Sequence, residues 1–298
     1  MWRIVLPLTA SIAAVPLVAA PARVTTAGVT TAGVVAGTMP GSPASVLQAG
    51  TGPAPTVDST PSLVALSAMA VAFPHAALRP TIVSRAAWRA DETKRDPRAH
   101  YANGVTAIFI HHTDTPNAYD CADVPHMLRN LYTGQIRDQG WGDFGYNFLV
   151  DRCGNIYEGR AGGVDRPVVG SHTQGFNQGT AGIAAIGTFE RGTKVPAPME
   201  HAIAVLAAWK LGLRGVDPRS KVRLTSTNDK SRYPKGTSAS FHAISAHRDG
   251  FATDCPGEAL VARLPAIRDL AARLQGRVLR EPARVQLSQA LSSLGGSR

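Results

Sequence analysis

The sequence predicts an α/β fold, a central mixed β-sheet flanked by helices. Three observations point there. Residues 105–111 form a β-branched and aromatic run, residues 124–136, 197–211 and 260–274 carry apolar side chains at helical spacing, and short β-rich runs at 146–150, 155–158 and 183–189 lie between them. Strands and helices interleaved in this way build a sheet with helices packed on it.

In chain order, residues 1–22 combine a short basic start, an apolar stretch broken by Pro7 and Pro16, and small residues around Ala20 to Ala22. That is the pattern of a signal peptide, and it places the mature protein outside the cytoplasm, secreted or associated with a cell wall. Residues 23–78 are dominated by Ala, Thr, Val, Gly, Ser and Pro and read as a linker. The apolar stretch at 63–73 is too short to span roughly 30 Å of hydrocarbon, so no stable membrane span is expected after signal cleavage.

A catalytic domain is expected over residues 79–276. Ser84 is a candidate helix cap before Trp88. The strand at 105–111 follows, and then a helix from Val124, with Asp123 to cap it, Pro125 tolerated in its first turn and Gly134 weakening it. Gly154 suits the turn of a hairpin joining 146–150 to 155–158. The nearly all-apolar segment 197–211 predicts a buried helix. Residues 212–239, rich in Arg, Ser, Thr, Lys and Gly, are expected as a long surface excursion before a strand at 243–247. A last helix spans 260–274 with a kink or break at Pro265. Residues 277–298 form a loosely held tail.

The formal charge of +10 and pI near 10.0 imply attraction to a polyanion. No block of five basic residues and no nucleic-acid motif accompanies that charge, so nucleic acid is not an expected partner. Abundant Ala, Arg and Gly fit a GC-rich bacterial genome. The chain has three cysteines, an odd number for an exported protein, which allows three single bridges and leaves one thiol to be explained.

Two stretches carry the chemistry: His111 and His112 at the end of a predicted strand, and His247 followed eight residues later by Cys255. Two imidazoles and a thiolate suit zinc, whose catalytic sites use three protein ligands and keep the fourth position for water. The spacing is not that of a zinc finger. Adjacent residues of a strand point to opposite faces, so one of His111 and His112 can ligate while the other packs or contacts substrate; periodicity does not choose between them.

Four motifs, IFIHHT, then GYNFLV with GNIYEGR, then VGSHTQGFN, then ISAHRDGFATDCPG, occur in the order seen in peptidoglycan recognition proteins and the related N-acetylmuramoyl-L-alanine amidases. The chain resembles that family over residues 80–275. The resemblance implies a zinc site at the end of the sheet with His111, His247 and Cys255 as ligands, and a disulfide between Cys121 and Cys153. A bridge of that loop length contributes roughly 3 to 4 kcal/mol in the chain-entropy model. The implied activity is hydrolysis of the amide between the lactyl group and L-alanine of peptidoglycan. Tyr146 would orient the attacking water or donate to the oxyanion, and Thr253 stands where relatives carry threonine or lysine. His112, Arg160, His172 and Asn177 are the candidate substrate contacts. Peptidoglycan, through its stem peptide and glycan, is the implied partner, with anionic wall polymers as a further one. Gln135 departs from the family, which often has histidine there. Relatives without the cysteine bind peptidoglycan and do not cut it, so Cys255 argues for an enzyme; a non-catalytic binder of the same fold is the alternative, and a zinc amide hydrolase with another substrate is a second.

Overall fold

A computed structural model of the protein describes residues 75–278. The expected signal peptide, nearly all of the expected linker and most of the tail lie outside the described residues. Among the described residues no helix is long and apolar enough to cross a membrane.

The centre is a five-stranded sheet in the order β3-β2-β4-β1-β7. Its strands are β1 (Ala107–His112), β2 (Phe148–Val150), β3 (Ile156–Glu158), β4 (Thr180–Ala185) and β7 (Ile244–Ala246). β1 runs parallel to both β4 and β7, β2 runs parallel to β4, and β3 is antiparallel to β2. The sheet is therefore mixed, as the sequence predicts. All six residues of β1 and of β4 are buried, the expected state of parallel strands covered on both faces.

Four helices flank it: α1 (Val124–Gln139), α2 (Ala197–Gly212), α3 (His247–Gly250) and α4 (Glu258–Leu274). Ile108 and Ile110 of β1 and Ile183 of β4 pack with Met199, Ile203 and Leu206 of α2 and with Leu260, Leu264 and Ile267 of α4. Each such side chain contributes about 1.5–3 kcal/mol by leaving water. On the other face, Leu149 and Ala184 pack with Leu128 and Tyr132 of α1 and with Trp88 and Phe144. Gly140 ends α1 in the left-handed conformation at φ 64°, a conformation that glycine adopts without steric penalty.

The β2–β3 hairpin turns as Gly154 requires. Its φ is 90°, and a Cβ there would stand 2.9 Å from the Pro198 carbonyl oxygen. Asp151, fully buried, organises the turn by accepting from the backbone N–H of Cys153 and Asn155 and from the Tyr157 hydroxyl. Cys153, beside it, is bridged to Cys121 just before α1, with a Cα–Cα distance of 6.4 Å. The expected disulfide is thus present and ties the entry of α1 to the hairpin.

Three local expectations are corrected. Residues 212–239 are not a surface excursion throughout: they hold β5 (Lys221–Thr225) and the start of β6 (Ser238–His242), paired antiparallel. Their inward residues Val222, Leu224, Ala239 and Phe241 pack against Phe109 and Phe176, while the outward ones are cationic or hydroxylic, which disguises the alternation. Ser84 caps a single turn, its Oγ accepting from Ala87 N at 3.2 Å, and Arg89 at φ 58° stops that turn from extending. α4 runs unbroken through Pro265.

Candidate metal centre

The register of the parallel strands assembles the site. Ile110 pairs with Ala246, so the next residue of each strand, His111 and His247, emerges at the same edge. Their rings lie with centroids 4.3 Å apart. Beyond α3 the chain turns back, with Arg248 N donating to Cys255 O at 3.0 Å, and this returns Cys255 to the end of β1. There its Sγ accepts from His112 N at 3.3 Å and stands 3.9 Å from His111 Nδ1. The donor atoms of His111, His247 and Cys255 all lie within 4.8 Å of one another. A tetrahedral zinc ion with bonds of about 2.0 to 2.3 Å sets its N and S donors roughly 3.3 to 3.6 Å apart, so this N, N, S set fits such an ion with small adjustments.

The tautomers follow from the partners. Thr180 Oγ1 donates to the Phe176 carbonyl at 2.5 Å, so towards His172 Nε2, 3.3 Å away, it accepts. His172 then carries its proton on Nε2 and presents a lone pair on Nδ1. Nδ1 faces His111 Nε2 at 3.3 Å, with Thr173 Oγ1 3.0 Å from it. His111 therefore donates from Nε2 and keeps the Nδ1 lone pair on the side of Cys255. A ligand histidine held through its other nitrogen is the usual arrangement in metal sites.

Burial sets the protonation states. His111 is held well below the ordinary histidine range by burial and then by the neighbouring imidazoles. Burial likewise brings His172 down to about 3 and His247 down to about 4. All three rings are neutral near pH 7, and neutral imidazole is the ligating form. The Cys255 thiol is pushed up to about 12, chiefly by burial. Among the described residues no cation offsets that cost, and a divalent ion among these donors would supply one.

The remaining predicted residues surround this cluster. Tyr146 lies on the His111 side, ring centroids 5.1 Å apart, and burial raises its hydroxyl so that it stays protonated. Thr253 Oγ1 accepts from Cys255 N at 3.2 Å and holds the cysteine loop. His112 points away from His111, 9 % exposed, with Nδ1 lacking a partner. His172 sits behind His111, both ring nitrogens turned to protein groups. Asn177 lines a cleft yet spends its Oδ1 on His172 N and Thr173 N, at 2.9 and 2.8 Å. Arg160 donates to the carbonyls of Phe144 and Trp141 and to Ser171 Oγ, and its backbone N–H donates to Tyr146 O at 2.9 Å. Gln135 accepts from Gly145 N at 2.8 Å.

Three contributors escaped the sequence reading. Phe251 stacks on His247 with centroids 5.5 Å apart and planes within 10°. Thr173 sits between His111 and His172. Gly182 leaves the space that His172 fills, since a Cβ there would stand 2.5 Å from His172 Cγ. The two phenylalanine and threonine roles carry no spacing signal, but Gly182, a glycine inside an otherwise apolar strand, marks a close approach.

One cleft opens at the cluster and another lies along α1. The first, of about 420 Å³, is lined by Trp141, Ser171, Gln174, Asn177, His247 and Phe251. The other, about 490 Å³, runs along α1 past Thr115, Met127, Leu131 and Gln135.

The profile of the N-acetylmuramoyl-L-alanine amidase family matches residues 101–258, more than half of the 298, and that span holds all three donors. Among curated relatives, peptidoglycan-recognition protein SC2 of Drosophila melanogaster is 27% identical over 194 residues, 65% of this chain and 90% of its own length. Human N-acetylmuramoyl-L-alanine amidase is 32% identical over 156 residues, 51% of this chain and 22% of its own length. Among solved structures, wild-type Drosophila PGRP-LB aligns with a TM-score of 0.49 at 25% identity, covering 62% of this chain and 93% of that one.

Proposed function

The chain belongs to the N-acetylmuramoyl-L-alanine amidase family, and from that premise we propose that it is a secreted, zinc-dependent enzyme that hydrolyses the lactyl to L-alanine amide of bacterial peptidoglycan. The observation that carries this reading is the convergence of His111, His247 and Cys255, whose donor atoms lie within 4.8 Å of one another.

His111 through Nδ1, His247 and Cys255 would hold the ion. When bound, zinc lowers the pKa of a coordinated water to about 7 and polarises a carbonyl. The protein's own groups do the rest. Tyr146, kept neutral by burial, donates a hydrogen bond to the attacking water or to the oxygen that gains charge as the amide carbon becomes tetrahedral. Its backbone is pinned by Arg160 N, so the loop that carries the hydroxyl is fixed in advance. His172 is a positioning residue: it receives the Nε2 proton of His111 and so fixes which nitrogen faces the metal. Thr253 holds the Cys255 loop and has a hydroxyl but no charge to offer. Asn177 orders the loop that carries His172. Stem peptide and glycan would lie in the cleft lined by His247 and Asn177 and in the cleft along α1, with His112 a further candidate contact.

The test uses the full chain on purified peptidoglycan, with and without chelator, scoring new L-alanine amino ends and bound zinc. Wild type should release ends only when loaded. Cys255→Ala should lower both zinc affinity and release by more than about 100-fold while still folding. Pulldown on peptidoglycan with no release under any metal condition would replace this reading with the non-catalytic binder.

A further inference from the structure

The outward face of the β5–β6 hairpin carries Lys221, Arg223, Ser238 and Ser240. Register places Lys221 beside His242 and Arg223 beside Ser240, so cations and hydroxyls alternate across two strands. Between this face and the loop 248–254 lies a pocket of about 620 Å³ that none of the three metal donors lines. Its walls include Lys221, Arg232, Tyr233, Ser240, His242 and Asp254.

Elsewhere the polar groups of this chain are largely committed, and here they are not. Lys221 Nζ, the Arg232 guanidinium, the Tyr233 hydroxyl and the Ser240 hydroxyl make no hydrogen bond or ion pair with any described residue. His242 Nδ1 is buried and has no partner. All are donors or can become donors. Of the other charges in the walls, Arg248 pairs with Glu258 at 2.6 Å. One Asp249 oxygen accepts from Ala246 N at 2.9 Å, which orients that carboxylate without neutralising it, and Asp254 is exposed at the rim.

We propose that this pocket binds a phosphate-bearing ligand, one unit of a phosphodiester-linked polyol or sugar polymer. The donors come from two strands and a loop and line one pocket. A phosphodiester sets two strongly accepting non-bridging oxygens and two weaker ester oxygens tetrahedrally about phosphorus, so donors can meet it from several directions, whereas a carboxylate's two oxygens lie in one plane. Lysine supplies a point charge and arginine a fork, the usual pairing for phosphate. The volume exceeds what a single phosphate fills, which leaves room for the attached polyol or sugar beside Tyr233 and Phe241. The formal charge of +10 on the whole chain favours approach of such a polymer. This site goes beyond the amidase reading and does not rest on it.

Calorimetric titration of the full chain with a short glycerol-phosphate oligomer tests the idea, with an oligogalacturonate of equal charge as the carboxylate arm. The phosphate oligomer should bind more tightly, shifting amide resonances of residues 221–224, 232–233 and 240–242. Lys221→Ala with Arg232→Ala should weaken that binding about tenfold or more, while Lys194→Ala with Arg273→Ala, an equal loss of charge outside the walls, should change it less than about twofold. Ser240→Glu, an exposed strand position, should abolish it even if the double variant folds poorly. Release of L-alanine ends from phosphate-free peptidoglycan should be unaltered by Lys221→Ala with Arg232→Ala. Equal losses in both double variants, equal affinity for the oligogalacturonate, or no binding by wild type would each overturn the proposal.

Discussion

On the face of the sheet covered by α2 and α4, β1 and β4 present Ile108, Ile110, Ala181 and Ile183; on the other face the same two strands present Phe109, His111, Gly182 and Ala184. The first face closes mainly with apolar side chains, with the buried Lys210 of α2 donating to the Val164 carbonyl at 2.7 Å. The second buries imidazoles, a thiol and a tyrosine hydroxyl and leaves a gap at Gly182 for a ring. Alternation along a strand makes this division of labour available at no change of backbone. One face supplies the stability that lets the other hold polar groups out of water, which costs free energy unless each finds a partner.

If the two faces do separate jobs, Ile183→Ala should cost about 2–5 kcal/mol of unfolding free energy and leave zinc affinity almost unchanged. Urea titration paired with a zinc competition assay reads both; a large loss of affinity would show that the faces are coupled.

Gly182→Ala sharpens the comparison from the polar side. The added methyl would meet His172 Cγ at 2.5 Å and its Cβ at 2.8 Å, so His172 must move away from His111. We expect a stability cost of about 1–3 kcal/mol and zinc affinity lower by about 10- to 100-fold. Unaltered affinity would mean that His111 holds its orientation without His172.

The third effect is one of pH on the chelated protein. His172 and His247 fall from 6.5 to about 3 and about 4 on folding, chiefly through burial. Below pH 6.5 the unfolded chain takes up protons that the folded chain refuses, so stability declines as pH drops from 6.5 towards those values. Each ring contributes at most about 1.4 kcal/mol per pH unit over that window. Urea midpoints at pH 7 and pH 5 measure it, and a flat profile would contradict neutral buried rings. Ile183→Ala removes no titratable group, so it should shift the curve down without changing its slope.

How far the residues alone disclosed this arrangement depends on the kind of signal. β1 and α2 were legible because burial on both sides makes nearly continuous apolar runs, which survive without knowledge of neighbours. The donor set was legible only through its motifs, since His111, His247 and Cys255 are joined by a strand register that no local pattern encodes. The β5–β6 hairpin was missed because its outward Lys221, Arg223 and Ser240 resemble a solvated loop, and the inward Val222, Leu224 and Phe241 are too few to stand out. Arg160 and Asn177 looked like groups aimed at a ligand. In the structure the Arg160 guanidinium donates to the Phe144 carbonyl and Asn177 Oδ1 accepts from His172 N, backbone partners that residue type does not foretell.

His111 ends a strand that the apolar face has already locked to its neighbours, and β7 leads directly into His247. A metal at these donors would then be a guest of a finished scaffold and not its founding member, in contrast to small zinc modules that collapse when stripped. Such a scaffold can be emptied and refilled, and a cobalt-loaded form would carry a colour that reports directly on the geometry around Cys255.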